Sequence, residues 1–245
     1  MSRRSLREIT GPGPVVGWGW REAVGVVIAA HAVLIVAGSI VVGAAPRSGD
    51  VIPLPRQFLG TMPFWIAALA LSWWVASRPG DAPDAAPTAG PAAQLGLGWR
   101  PIDVPIGVVV GVAMQLLVIP AVYLLFGADL DELERPAQQL ADSARGSVAT
   151  VLFVLMTCLF APIAEEVLYR GVLQRGAGKA SALAGVVVAA VVFGLAHFQA
   201  LQLPGLVLFG AASGLAVWWT GRLGTGIMAH MAFNASTVVV VLWRR

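Results

Sequence analysis

Seven apolar runs divide the sequence, at 23–44, 62–76, 104–126, 148–172, 183–198, 206–220 and 227–242. Each approaches the roughly 20 residues with which an α-helix crosses a hydrocarbon core, although several are short. Across 245 residues, 58% are hydrophobic and 12% charged, against roughly 25% charged in a soluble domain. Mean hydropathy is +0.79. These features predict an all-α, polytopic transmembrane bundle of about seven to eight spans rather than a soluble domain with one anchor.

Three sections follow from the polar punctuation. Residues 1–22 form a basic arm with Arg3, Arg4 and Arg7. No small-residue cleavage site follows at signal-peptide distance, so the first run is expected to stay as a mature helix. Residues 23–126 carry the N-terminal transmembrane helices. A loop at 46–60 and a linker at 78–103 interrupt them, and the Ala/Pro-rich part of the linker is expected to be extended and mobile. Residues 148–242 form the core that carries the chemistry. The acidic stretch from Asp129 to Glu134 lacks the alternating ligands and glycine of a calcium loop and is expected to be solvated. Pro120 and Pro162 are expected to disturb their helices.

The net charge of +3 comes from basic residues at the ends of apolar runs. That placement suits membrane orientation and not a nucleic-acid surface. Cys158 is the only cysteine, which excludes a disulfide framework and a Cys-based zinc site within one chain. His31 stands in the first run without an ionisable companion and is expected to be packed or cavity-facing.

Charges inside an apolar segment are costly and mark a functional interior. The run at 148–172 contains Glu165, Glu166 and Arg170. Glu166 and Arg170 are spaced i, i+4 and share a helix face, so they can pair. Glu165 lies about 100° round the helix and lacks that partner, which leaves it free to act as a base. Phe193 and His197 occupy the next run, and His230 and Asn234 share a face in the last. Each of these polar groups needs a partner in an apolar setting.

In this order, EExxxR, FxxxH and HxxxN resemble the CPBP family of intramembrane proteases, the CAAX-protease and bacteriocin-processing (Abi) family. The matching residues are Glu165, Glu166 and Arg170, then Phe193 and His197, then His230 and Asn234. The resemblance implies an intramembrane endopeptidase that hydrolyses membrane-associated proteins or peptides with glutamate-activated water. It implies catalytic roles for Glu165, His197, His230 and Asn234, with the last two at the oxyanion, and support from Glu166, Arg170 and Phe193. Eukaryotic relatives trim prenylated CAAX C-termini. Nothing in this sequence reads a prenyl group, so that substrate is not carried over.

No serine or cysteine has a partnered position for a nucleophilic triad. Glu165, His197 and His230 would equally make a zinc set with an open position, although no HExxH is present. The favoured mechanism needs no cofactor, and zinc is its alternative. The functional alternatives are a non-catalytic immunity or partner-binding protein and a proton-coupled transporter. Against the last, the two halves show no repeat. The composition, rich in Ala, Gly and Arg, reads as bacterial. The chain is therefore expected in a bacterial plasma membrane, with lipid and a membrane-associated peptide as its partners and no nucleic acid. The positive-inside rule places the N-terminus in the cytoplasm.

One tension remains at this level. With straight helices, His197 lies about 27 Å along its run from Lys179, and His230 only about 6 Å past Gly226. Some helix must tilt, break or begin elsewhere for the groups to meet Glu165.

Overall fold

The computed structural model describes residues 11, 13–43, 52–78, 90–127, 129–144 and 146–243. Their helices are α1 (Trp20–Gly43), α2 (Leu54–Ala76), α3 (Pro91–Leu95), α4 (Asp103–Leu125), α5 (Leu130–Asp142), α6 (Ser147–Ala177), α7 (Ala182–Leu195), α8 (Leu203–Thr220) and α9 (Leu223–Trp243). No strand occurs among the described residues. Helices α1, α2, α4, α6, α8 and α9 are long and apolar enough to span a membrane, and α7 is a shorter apolar helix of 14 residues. The protein is an all-α polytopic membrane bundle, and each of the seven apolar runs supplies one of these helices.

Helix α6 is the central pillar, touching α1, α2, α7 and α9, while α1 packs on α2, α7 on α8 and α4 along α9. Close approach of α4 and α9 depends on Gly107 and Gly111. A Cβ on Gly107 would sit 2.5 Å from the Met228 Cβ, and one on Gly111 would sit 2.7 Å from the Phe233 amide nitrogen. Small residues four apart let helix backbones meet where lipid offers no hydrophobic drive for association. Outward-facing Ile28, Ile35, Ile40, Leu117 and Val109 leave an apolar exterior.

Two helices contain wide turns that hold the prolines. In α4, residues Met114–Val118 form a π-type segment just before Pro120. In α6, Met156–Phe160 does the same before Pro162, and a second such segment runs from Val167 to Leu173. Proline has no N–H and collides with the carbonyl four residues back, and a locally widened turn relieves that collision.

Several boundaries differ from the sequence expectation. Helix α2 begins at Leu54, inside the expected loop, because Pro53 and Pro55 suit a helix start. Residues 90–103, expected as linker, are folded, with Gln94, Leu95 and Asp103 buried. Most of the Ala/Pro-rich stretch (79–89) and most of the N-terminal arm lie outside the described residues. The acidic stretch opens α5 rather than forming a solvated loop. Asp129 accepts from the Asp131 amide at 2.9 Å as the N-cap, and Leu130, Leu133, Ala137 and Leu140 turn one apolar stripe inward.

The folded 90–103 segment also resolves the depth conflict. Helix α9 begins at Leu223, four residues earlier than expected, and its first two amides donate to the Gly96 and Gly98 carbonyls at 2.8 and 3.1 Å. Leu223, Gly224, Thr225 and Gly226 are all buried. Asp103 binds Arg222 Nε through both carboxylate oxygens, at 3.1 and 2.9 Å, and accepts from Thr225 Oγ1 at 2.8 Å. The α8–α9 turn therefore lies under a protein cap, so distance from that turn does not measure depth below the membrane surface.

Candidate active site

Glu165 and Glu166 are adjacent but occupy opposite environments. Glu166 is fully buried, and its carboxylate has three partners. Arg170 Nη1 lies 2.9 Å from Oε1, His230 Nδ1 lies 3.0 Å from the same oxygen, and Ser213 Oγ donates to Oε2 at 3.0 Å. The Glu165 side chain is 15% exposed, against 0% for Glu166. Its Oε2 lies 4.0 Å from His230 Nε2. One carboxylate is locked into the fold and the other opens on a cavity, the division that the i, i+4 argument predicts.

Arg170 is held from three sides. It pairs with Glu166, donates from Nη2 to the Gly210 carbonyl at 3.2 Å and lies 4.6 Å over the Phe193 ring. Its Nε has no hydrogen-bond partner among the described residues. Gly226 lets α9 approach this cluster, because a Cβ there would stand 2.6 Å from Glu166 Oε2.

Phe193 is the hub of the site. Its ring centroid lies 4.6 Å from that of His197, 5.6 Å from that of His230 and 5.3 Å from that of Tyr169, each in an edge arrangement. His197 follows the end of α7 in a turn, and its Nδ1 lies 2.7 Å from the Phe193 carbonyl. The FxxxH spacing thus has a physical purpose beyond the ring contact: the histidine caps the orphan carbonyl four residues behind it. The turn after His197 is clamped at Leu201, whose carbonyl accepts from Tyr123 Oη at 2.5 Å, and at Gln202, which donates to the Leu133 carbonyl of α5 at 2.6 Å.

The hydrogen-bond partners fix the imidazole tautomers. A carbonyl or carboxylate oxygen only accepts, so the nitrogen facing it carries the proton. His197 Nδ1 faces the Phe193 carbonyl, His230 Nδ1 faces Glu166, and His31 Nδ1 faces the Val27 carbonyl at 2.8 Å. All three histidines of the chain are therefore Nδ1–H when neutral and present an Nε2 lone pair.

Asn234 donates from Nδ2 to the Thr157 carbonyl at 2.8 Å. The wide turn at Met156–Phe160 sends the Ala161 amide to Met156 instead of Thr157, and the next residue, Pro162, has no N–H. Asn234 satisfies the carbonyl so orphaned. Asn234→Ala is accordingly expected to lower stability by about 1–3 kcal/mol, the cost of a buried acceptor without a donor. Denaturation in detergent micelles measures this; an unchanged midpoint would show that the carbonyl finds water instead.

Glu165, His197, His230, Asn234 and Phe193 all line one cavity of about 560 Å³, while Glu166 and Arg170 stand behind its wall. His31, expected to be packed or cavity-facing, lines the same cavity, and so does Tyr169, which no sequence motif singles out. Ser213 is a further omission, since a serine in an apolar helix carries no spacing signal. Among the described residues, no three His, Cys, Asp or Glu side chains group closely enough to hold a metal ion.

No curated protein and no solved structure matches the chain. Residues 147–236 match the family model described as type II CAAX prenyl endopeptidase Rce1-like. That stretch runs from the start of α6 through Asn234 and contains every residue of the three motifs. Over the segment that builds the site, the chain is thus similar to the type II CAAX prenyl endopeptidase (CPBP) family, a match that covers 90 of its 245 residues.

Proposed function

We propose that the protein is an intramembrane endopeptidase in which Glu165 activates a water molecule, independently of metal, to cleave a membrane-associated protein or peptide. The family-model match over residues 147–236 supports a CAAX-type intramembrane protease. The mechanism rests on one observation: of two adjacent carboxylates, only Glu165 opens on the cavity that both motif imidazoles line.

In this mechanism water enters the cavity and donates one hydrogen to Glu165 and the other to the His197 Nε2 lone pair. Glu165 takes its proton as the water oxygen attacks the scissile carbonyl. The carbonyl oxygen becomes an oxyanion. His230, carrying its second proton on Nε2, and the remaining Asn234 amide N–H donate to it. Glu165 then returns the proton to the leaving amine as the C–N bond breaks. Glu166 accepts from His230 Nδ1 throughout and fixes the direction of that ring. Fixed donors of this kind in a site shielded from water are commonly the largest contribution to acyl-transfer catalysis.

A quenched fluorescent membrane peptide and purified protein in liposomes test the proposal. His197→Ala is expected to reduce kcat by about 100-fold, the cost of misplacing a reacting group by about an ångström, here the attacking water. A strong chelator is expected to leave wild-type turnover unchanged, and loss of turnover on chelation would replace this mechanism with a zinc-dependent one.

A further inference from the structure

Helix α1 lies outside the family-matched segment, yet it places His31 in the wall of the catalytic cavity. Its Nδ1–H is committed to the Val27 carbonyl, so Nε2 can only accept, and Tyr169 Oη lies 3.1 Å from it. The phenol therefore donates to the imidazole. Tyr169 is 1% exposed and stands one turn after Glu165 on α6, within the wide turn Val167–Leu173. Its ring meets the Phe193 ring edge-on, at 90° and 5.3 Å. Phe193 in turn carries His197 on one edge contact and His230 on another, with Arg170 over its face. On its other side, His31 packs against Phe64 of α2 at 5.1 Å.

We infer that His31 is a positioning residue for catalysis, acting through the Tyr169 hydroxyl to fix the Phe193 ring on which both active-site imidazoles rest. The inference rests on the proteolytic mechanism above, and it adds a part that the family-matched segment does not contain. A phenol ring without its hydrogen bond keeps its volume but loses the constraint on its tilt. Phe193 then gains rotational freedom, and the His197 and His230 rings gain it too. Small displacements of reacting groups carry large rate penalties while leaving substrate binding nearly untouched. A residue that merely stabilised the fold would alter the melting temperature and leave kcat alone.

Tyr169→Phe removes one oxygen from a buried ring and is the least disruptive probe. It is expected to lower kcat about 10- to 100-fold with KM unchanged, the range for misplacement by a fraction of an ångström to about one ångström. His31→Leu should do the same, and the double variant should be no slower than either single one, because both cut one connection. His31→Gln, whose carboxamide oxygen can accept where Nε2 did, should recover most of the rate.

A second readout needs no substrate. The chain has three histidines, so ¹⁵N-histidine labelling resolves every imidazole, and each variant at position 31 identifies the His31 signals by their loss. Tyr169→Phe is expected to shift the His31 Nε2 signal and also those of His197 and His230. Signals of His197 and His230 that stay in place would overturn the inference, as would kcat within twofold of wild type in both single variants. An inactive wild type would refute the proteolytic function, and the labelling experiment would still decide whether His31 governs the two rings.

Discussion

Glu165→Gln is expected to slow peptide-bond cleavage by orders of magnitude while the protein still inserts, folds and binds its substrate. The substitution keeps the shape of the side chain and removes only its capacity to take a proton. Glu165 Oε2 faces His230 Nε2 at 4.0 Å, and that imidazole keeps Glu166 as its own carboxylate partner at Nδ1. Neutralising Glu165 leaves His230 paired with Glu166, so the melting temperature should stay close to that of wild type. The kinetic loss should be about 100- to 10,000-fold in kcat, with KM little changed, because a general base acts in the transition state and not in the ground state. A Glu165→Gln protein with near-wild-type turnover would transfer the base to another group. The same substitution at Glu166 should behave differently, since it takes an acceptor from His230 and a counter-charge from Arg170.

Arg170→Ala carries the second large effect, and here it falls on folding. Arg170 and Glu166 are both fully buried and 2.9 Å apart. Deleting the cation leaves a carboxylate in an apolar interior with only Ser213 and His230 beside it. Breaking a buried pair from one side typically costs about 3–5 kcal/mol, a large share of the ~5–15 kcal/mol that holds a folded domain together. Folded yield should collapse, and thermal unfolding of any recovered protein should fall well below wild type. Replacing both partners by apolar residues of similar volume, as in the double variant Glu166→Leu with Arg170→Met, should recover much of the stability. It should not recover activity, because His230 Nδ1 then has no acceptor to direct it. Equal melting temperatures for wild type and Arg170→Ala would remove the pair from the account of folding.

The chemistry of the site is written locally in the sequence because each motif spans one helical turn. Glu166 with Arg170, Phe193 with His197, and His230 with Asn234 are all i, i+4, and that spacing alone puts them on shared faces. The structure adds partners that spacing could not name. Ser213 and Gly210 come from α8, and Tyr169 meets a histidine 138 residues away. His31 stands alone in the sequence because its partner is a phenol on another helix rather than a charge nearby. The partner that Asn234 needs in an apolar setting is the orphaned Thr157 carbonyl, which the sequence does not name and which claims one of its hydrogens.

The geometry of helix ends was the least legible part. Capping carbonyls for α9 come from Gly96 and Gly98, more than 120 residues earlier, so nothing near Leu223 announces that the helix starts inside the protein. The wide turns are visible only in part. Pro120 and Pro162 signal disturbance, whereas the segment Val167–Leu173 has no proline and is buried along its whole length. The acidic first turn of α5 signals solvent, whereas the apolar stripe at Leu130, Leu133, Ala137 and Leu140 marks a helix packed on the bundle.

The central claim is that one water molecule, activated by Glu165, supplies the oxygen of the new carboxyl group. Cleavage of a membrane peptide in ¹⁸O-labelled water under single-turnover conditions measures this directly. The account predicts one ¹⁸O in the new C-terminal carboxylate from wild type, no covalent acyl-enzyme on acid quench, and labelled product from Glu165→Gln only at a rate about 100- to 10,000-fold lower. Labelled product from Glu165→Gln at the wild-type rate, or a peptide fragment covalently attached to the protein, would contradict it.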